Sequence, residues 1–162
     1  MFFLLVCFHK WHNKNKKGKT MAIHSNVKIW VHLVWGTHNH EKIITKELSK
    51  IIYEHLINRA AEESISVEKL YIRPEHVHML ISLPSSKSMQ TIARSLKGES
   101  SYWINDNNLT PNKFKWQRGY GAFSVSSSRL EKVKYYIANQ EEHHRVKTFS
   151  EEYNNWIKKY GC

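Results

Sequence analysis

The sequence predicts an α+β fold: an antiparallel sheet with helices on one face and a further helix towards the C-terminus. Three observations predict it. An early segment alternates apolar residues with the period of a strand. Two more strand-like runs flank an Arg73–Pro74 turn, and the stretches between carry apolar residues at helical spacing.

The first strand is expected over Asn26–Trp35. Val27, Ile29, Val31, Leu33 and Trp35 share one buried face, with Lys28, Trp30, His32 and Val34 on the other. Gly36 to His40 forms a turn. Thr45 then caps a helix reaching Glu63, with Leu48, Ile51, Ile52, His55, Leu56 and Arg59 at helical spacing. A second strand runs from Ser66 to Ile72. A third runs from His76 to Leu83 between Pro74 and Pro84, which bound it because proline cannot donate to a ladder. Ser85 to Ser88 is a loop and cap, and Met89, Ile92, Ala93, Leu96, Ser100 and Trp103 form a helical face to Asn105. After a loop over 106–112, Lys113–Ser126 is extended and aromatic, interrupted at Gly119 and Gly121. Helices are expected over Ser127–Glu142 and Ser150–Tyr160. The order β-α-β-β-α-β-α resembles a ferredoxin-like sandwich, an architecture that does not by itself name a function.

At 162 residues the chain is expected to be one domain, long enough to bury a core. Hydrophobic residues at 41% and aromatics at 12% exclude a disordered chain. Lys and Arg number 25 against 14 Asp and Glu, a net charge of +11, so a polyanion is the expected partner. Residues 1–20 hold five lysines and no acid; the remaining 20 basic and 14 acidic residues still leave +6. This first stretch places its apolar run before its charge, the reverse of a signal peptide. It is expected to be a disordered arm or translated upstream sequence, with the domain spanning 21–162. Cys7 and Cys162 alone exclude a disulfide scaffold and fit a reducing, cytoplasmic compartment. No apolar run is long enough for a membrane-spanning helix.

The chemistry concentrates in two segments. In Glu75-His76-Val77-His78 the two imidazoles occupy alternate positions of a strand, so they share a face and form a preformed clamp for a metal. Ordinary sheet histidines are the competing reading. His38-Asn39-His40 has the same spacing but sits in a turn without rigid backing, and ranks below. On the last long helix, at about 100° per residue with Leu130 as zero, Val133 and Ile137 mark the buried face. Tyr136 at about 240° and Gln140 at about 280° lie together on its edge, and Tyr135 at about 140° points away. His144 falls on the apolar face as a packed residue, whereas His143 could approach the site. A tyrosine hydroxyl beside a divalent cation is a nucleophile suited to phosphate. Two histidines and one amide oxygen leave coordination positions open and suit Mg²⁺ or Mn²⁺ better than a closed Zn²⁺ site. Helix-edge packing is the competing role for Tyr136 and Gln140.

These residues resemble the insertion sequence 200/605 transposases. His76-Val77-His78 looks like their His-hydrophobic-His motif, and Tyr136 with Gln140 looks like their single catalytic tyrosine motif. Similarity extends through Trp116 to Ser126, Tyr136 to His144 and Phe149 to Tyr153, covering about residues 24–153; residues 1–20 lie outside the family pattern. The resemblance implies a single-stranded DNA transposase. Tyr136 would attack a scissile phosphate, leaving a 5′-phosphotyrosine and a free 3′-hydroxyl. His76, His78 and Gln140 would hold the cation. The protein would be a homodimer recognising DNA hairpins, with no nucleotide cofactor and no membrane.

Arg94 and Lys97 on the second helix, with Lys115 and Arg118 in the aromatic segment, are candidate DNA-binding residues. Cations interleaved with Phe114, Trp116 and Tyr120 suit a surface that tracks a backbone and stacks bases. Core strand packing of Phe114, Trp116 and Phe123 is the competing reading. Three other functions stay open: an inactive, domesticated hairpin binder of the same fold, a replication-initiator or relaxase nickase, and a peripheral membrane protein using Met1–Phe8.

Overall fold

The computed structural model describes residues 27–143 together with 151, 153–155 and 158. The arm over 1–20, both cysteines, His144 and most of the helix expected over Ser150–Tyr160 lie outside the described residues, as does the side chain of His143.

Four strands, β1 (Trp30–Gly36), β2 (Ser66–Ile72), β3 (His76–Ser82) and β4 (Gly121–Val125), form one sheet in the order β2-β3-β1-β4. Every neighbouring pair is antiparallel. This is the ferredoxin-like arrangement, in which β3 inserts between β1 and β2.

β1 begins later than the alternation predicts. Both its partners stop at Trp30, which pairs with Ser82 on one side and Val125 on the other. One more bond follows, from Leu83 N–H to the Ile29 carbonyl at 2.7 Å, and Val27 and Ile29 lie outside the strand, 52% and 45% exposed. The expected single buried face is also corrected: Val34 and His32 are buried as well, because helices cover the second face of the sheet.

Helix α1 (Lys46–Glu62) starts as predicted at Thr45, whose side-chain oxygen accepts from Leu48 N–H at 3.2 Å. Its buried stripe is Leu48, Ile52, Leu56 and Ala60; Ile51, expected inside, is on the surface. The helix expected over Met89–Asn105 forms as α2 (Met89–Ala93) and α3 (Glu99–Asp106), joined by a π-helical turn over Arg94–Gly98. α1, α2 and α3 cover one face of the sheet. There Val31, Leu33, Trp35, Val77, Met79 and Ile81 meet Ile52, Leu56, Ile92, Leu96 and Ile104 in one cluster. Phe114 and Trp116 belong to this cluster, so their competing reading holds and neither ring is available to stack a base.

The last predicted helix is interrupted. A 3₁₀ turn over Ser127–Arg129 leads into α4 (Leu130–Ala138), and α5 (Gln140–His143) follows. The break is Asn139, whose backbone N–H and side-chain amide both donate to the Tyr135 carbonyl, at 3.1 and 2.8 Å. α4 lies on the face of the sheet opposite α1. Lys134 ties it to β2 through Glu68 at 2.8 Å, and Glu68 is the residue left out of register where β2 bulges against β3.

Candidate active site

The strand period sends His76 and His78 away from the apolar cluster, towards α4. Both are fully buried, with ring centroids 4.8 Å apart and planes nearly perpendicular. β1 adds a third imidazole. His32 lies beside His78, rings stacked at 5.1 Å, with His32 Nε2 3.0 Å from His78 Nδ1. Burial lowers the His32 pKa from 6.5 to about 3, so this ring is neutral at pH 7.

α4 closes the cluster from above. The Tyr136 ring stands edge-on to His78 at 5.9 Å and to His32 at 6.2 Å. Gln140, first residue of α5, is fully buried; its side-chain N–H donates to the Tyr136 carbonyl at 3.5 Å, while its Oε1 is buried and has no hydrogen-bond partner among the described residues. Tyr135 is 72% exposed, on the outside of the helix. Tyr136 and His78 are thus brought together across 58 residues of chain, with His76 beside His78 on β3 and Gln140 buried next to Tyr136 past the helix break.

Glu75 supports this arrangement from the β2–β3 turn. Its Oε1 lies 3.2 Å from His76 Nδ1. Burial alone would raise its pKa, but the His76 hydrogen bond and the charges on His76, Arg73 and Lys42 outweigh it, holding the carboxyl below its ordinary value. Glu75 and His32 therefore engage the Nδ1 atoms of His76 and His78 respectively. An imidazole whose Nδ1 carries the hydrogen has its lone pair on Nε2. Sequence reasoning missed both supports. His32 shares its strand face with Trp30 and Val34, but only the β1–β3 register reveals that this is also the face of His78.

The donor set fits a divalent cation: two imidazoles on one strand face and an inward amide oxygen still lacking a partner. Among the described residues no three His, Cys, Asp or Glu side chains gather as metal ligands. Comparison with known proteins decides the family. A family model described as "Transposase IS200 like" matches residues 25–140.

The chain belongs to the IS200-like transposases.

A relative in this family, the ISDra2 transposase TnpA of Deinococcus radiodurans, is 22% identical over 116 residues, covering 68% of this chain and 83% of the relative. Among solved structures, a crystal structure assigned as a transposase of Deinococcus radiodurans superposes with a TM-score of 0.59. It has 22% identity and covers 78% of this chain and 98% of that one. A REP-associated tyrosine transposase bound to a REP hairpin superposes with a TM-score of 0.56 at 14% identity, covering 76% and 74%. Both likenesses carry the ferredoxin-like fold.

The expected DNA-binding residues of this IS200-like transposase sit on two segments: Arg94 and Lys97 in the π-helical turn, and Lys115 and Arg118 beside the end of β1, where Gln117 N–H donates to the Gly36 carbonyl at 2.9 Å. Arg94, Lys115 and Arg118 are exposed. Lys97 is half-buried, which lowers its pKa, and its Nζ donates to the Arg118 carbonyl at 3.5 Å. His38 and His40 are exposed in a 3₁₀ turn, away from any strand face. No helix among the described residues is long and apolar enough to cross a membrane.

Proposed function

We propose that the protein cleaves and rejoins single-stranded DNA by transesterification, with Tyr136 as the nucleophile. The observation that carries this reading is the Tyr136 ring packed edge-on against the two histidine rings of β1 and β3, with Gln140 turned inward beside it. The Tyr136 hydroxyl oxygen attacks the scissile phosphorus. A phosphotyrosine bond forms to the 5′ side, the P–O3′ bond breaks, and the leaving oxygen takes a proton to become a free 3′-hydroxyl. The phosphotyrosine conserves the ester bond, so rejoining by a 3′-hydroxyl needs no nucleotide cofactor.

His76 and His78 through Nε2, and Gln140 through Oε1, would hold a divalent cation, Mg²⁺ or Mn²⁺. When bound, it polarises a phosphoryl oxygen and stabilises the charge of the displacement. With hydrogens on both Nδ1 atoms, His32 would accept from His78 and Glu75 would neighbour that of His76, leaving each Nε2 lone pair for a ligand. Burial excludes water from the imidazoles, and α4 holds Tyr136 over them.

The family resemblance adds a homodimer and a DNA hairpin as substrate. The fold shared with a transposase solved on a hairpin supports the second point. The test is a labelled single strand carrying the flanking hairpins, incubated with Mg²⁺ or Mn²⁺ and resolved on a denaturing gel. A covalent protein–DNA band is expected, absent in Tyr136→Phe. Tight hairpin binding without any band would identify a domesticated binder of the same fold.

A further inference from the structure

β2 is an edge strand, and among the described residues no strand pairs with its outer side. A groove follows this edge between β2 and α1. Its inner end is lined by Lys46, Lys50, Arg73 and Pro74, two residues from His76, together with Glu141 of α5. It continues outward past Lys50 and Tyr71 to Tyr53 and Glu54. The groove therefore opens beside the histidine cluster and runs away from it.

Some cations near it are already paired with acids. Arg59, Lys87 and Lys134 each face a carboxylate within ion-pair distance. Lys46, Lys50 and Arg73 form no ion pair among the described residues, and the buried Arg73 Nε has no hydrogen-bond partner there. Three cations thus line one end of a groove that holds a single acid at that end. Tyr53, 43% exposed, stands at the other end with Tyr71 between. Cations that follow a backbone, then aromatic rings beside them, are what an unpaired nucleic-acid strand requires: phosphates meet the ammonium and guanidinium groups, and bases stack on the rings.

We propose that this β2-edge groove is the track for single-stranded DNA next to the tyrosine site. Lys46, Lys50 and Arg73 contact phosphates, and Tyr53 stacks a base. The inference rests on the transposase reading of the Tyr136 site and adds to it residues other than Arg94, Lys97, Lys115 and Arg118.

The test uses the full chain and a fluorescent oligothymidylate of about 16 nucleotides, the upper range of one small binding fold. Affinity is measured by anisotropy across a salt series. Each phosphate contact on a single strand contributes about 0.7 to the slope of log affinity against log salt, so Lys46→Gln/Lys50→Gln should lower that slope by about 1.4. Lys28→Gln/Lys132→Gln, which removes equal charge from exposed lysines elsewhere, should leave it unchanged. Tyr53→Ala should weaken binding about tenfold with the slope intact, the mark of a lost stack. Equal slopes in the two lysine pairs overturn the proposal, as does wild-type protein that does not bind the oligothymidylate. A Lys46→Gln/Lys50→Gln variant that alters sedimentation but not DNA affinity overturns it too, by marking the edge as a contact between copies. A covalent band formed normally alongside any of these results removes the groove and leaves the Tyr136 reading standing.

Discussion

The two faces of the sheet are built from the same strands and do opposite work. On β3, Val77, Met79 and Ile81 enter the apolar cluster under α1, α2 and α3, while His76 and His78 between them face α4. On β1, Val31, Leu33 and Trp35 alternate with His32 in the same way. The first face buries long aliphatic side chains under a 17-residue helix and a second helical layer. The second is capped by a nine-residue and a four-residue helix separated by a break. Each buried imidazole there has a polar neighbour at Nδ1, His32 for His78 and Glu75 for His76. One face supplies stability and the other spends part of it on positioning chemistry.

The largest effect should come from the tyrosine pair, whose members lie one residue apart on α4. Tyr136→Phe should abolish covalent attachment to DNA and leave hairpin affinity near normal, because the ring packing survives and only the hydroxyl is lost. Tyr135→Phe, on the exposed side, should retain attachment. A gel on which Tyr135→Phe loses the band and Tyr136→Phe keeps it would reverse the assignment of faces.

Next in size is a pair that differs only in direction along β3. Met79→Ala should destabilise the protein by about 2–5 kcal/mol in urea unfolding, with metal-dependent cleavage by the folded fraction unchanged. His78→Ala should instead abolish cleavage and Mn²⁺ binding, the latter read by electron paramagnetic resonance. Unaltered Mn²⁺ binding in His78→Ala would remove His78 from the ligand set.

His32→Phe probes the support rather than the ligand. It keeps an aromatic ring against His78 but removes the Nε2 acceptor. Outer supports of this kind typically change metal affinity by about 10- to 100-fold. The expected result is weaker Mn²⁺ binding, partly restored in His32→Gln, whose side-chain oxygen can accept. Mn²⁺ affinity equal to wild type in His32→Phe would reduce His32 to packing.

Much of this division was legible in the sequence. Period-2 alternation marks the faces of β1 and β3, the Thr45 cap fixes the start of α1, and helical spacing separates Tyr136 from Tyr135. Other features depend on contacts that no local pattern encodes. Val27 and Ile29 continue the alternation beyond Trp30, but the strand ends where its partners end. Phe114 and Trp116 sit among lysines in the chain yet pack into the core, Trp116 donating to Ser100 Oγ at 3.1 Å. His32 and Glu75 became visible only through cross-strand register and the tight β2–β3 turn. The break at Asn139, which starts a new helix at Gln140, arises from a side chain competing for a backbone carbonyl, a local choice that spacing alone does not reveal.

The smallest expected effect lies at the rim of the apolar face and tests whether that rim contributes stability at all. Glu63, at the end of α1, accepts from Lys87 and from Arg59. The hydrogen bond from Lys87 is the chief cause that lowers its pKa. A carboxyl whose folded pKa is depressed stabilises the protein above its unfolded pKa and loses that contribution as the pH falls through the folded value. Glu63→Gln should therefore lower Tm slightly at pH 7, where the carboxylate is charged in both states, and by less at pH 3, where part of that contribution is lost. Exposed ion pairs of this kind contribute little, and salt screens them, so the difference should shrink in 1 M NaCl. An equal Tm loss at both pH values would assign the effect to packing of the side chain. No loss at either would place the stability of this face in its apolar cluster alone, sharpening the contrast with a second face where each polar partner matters.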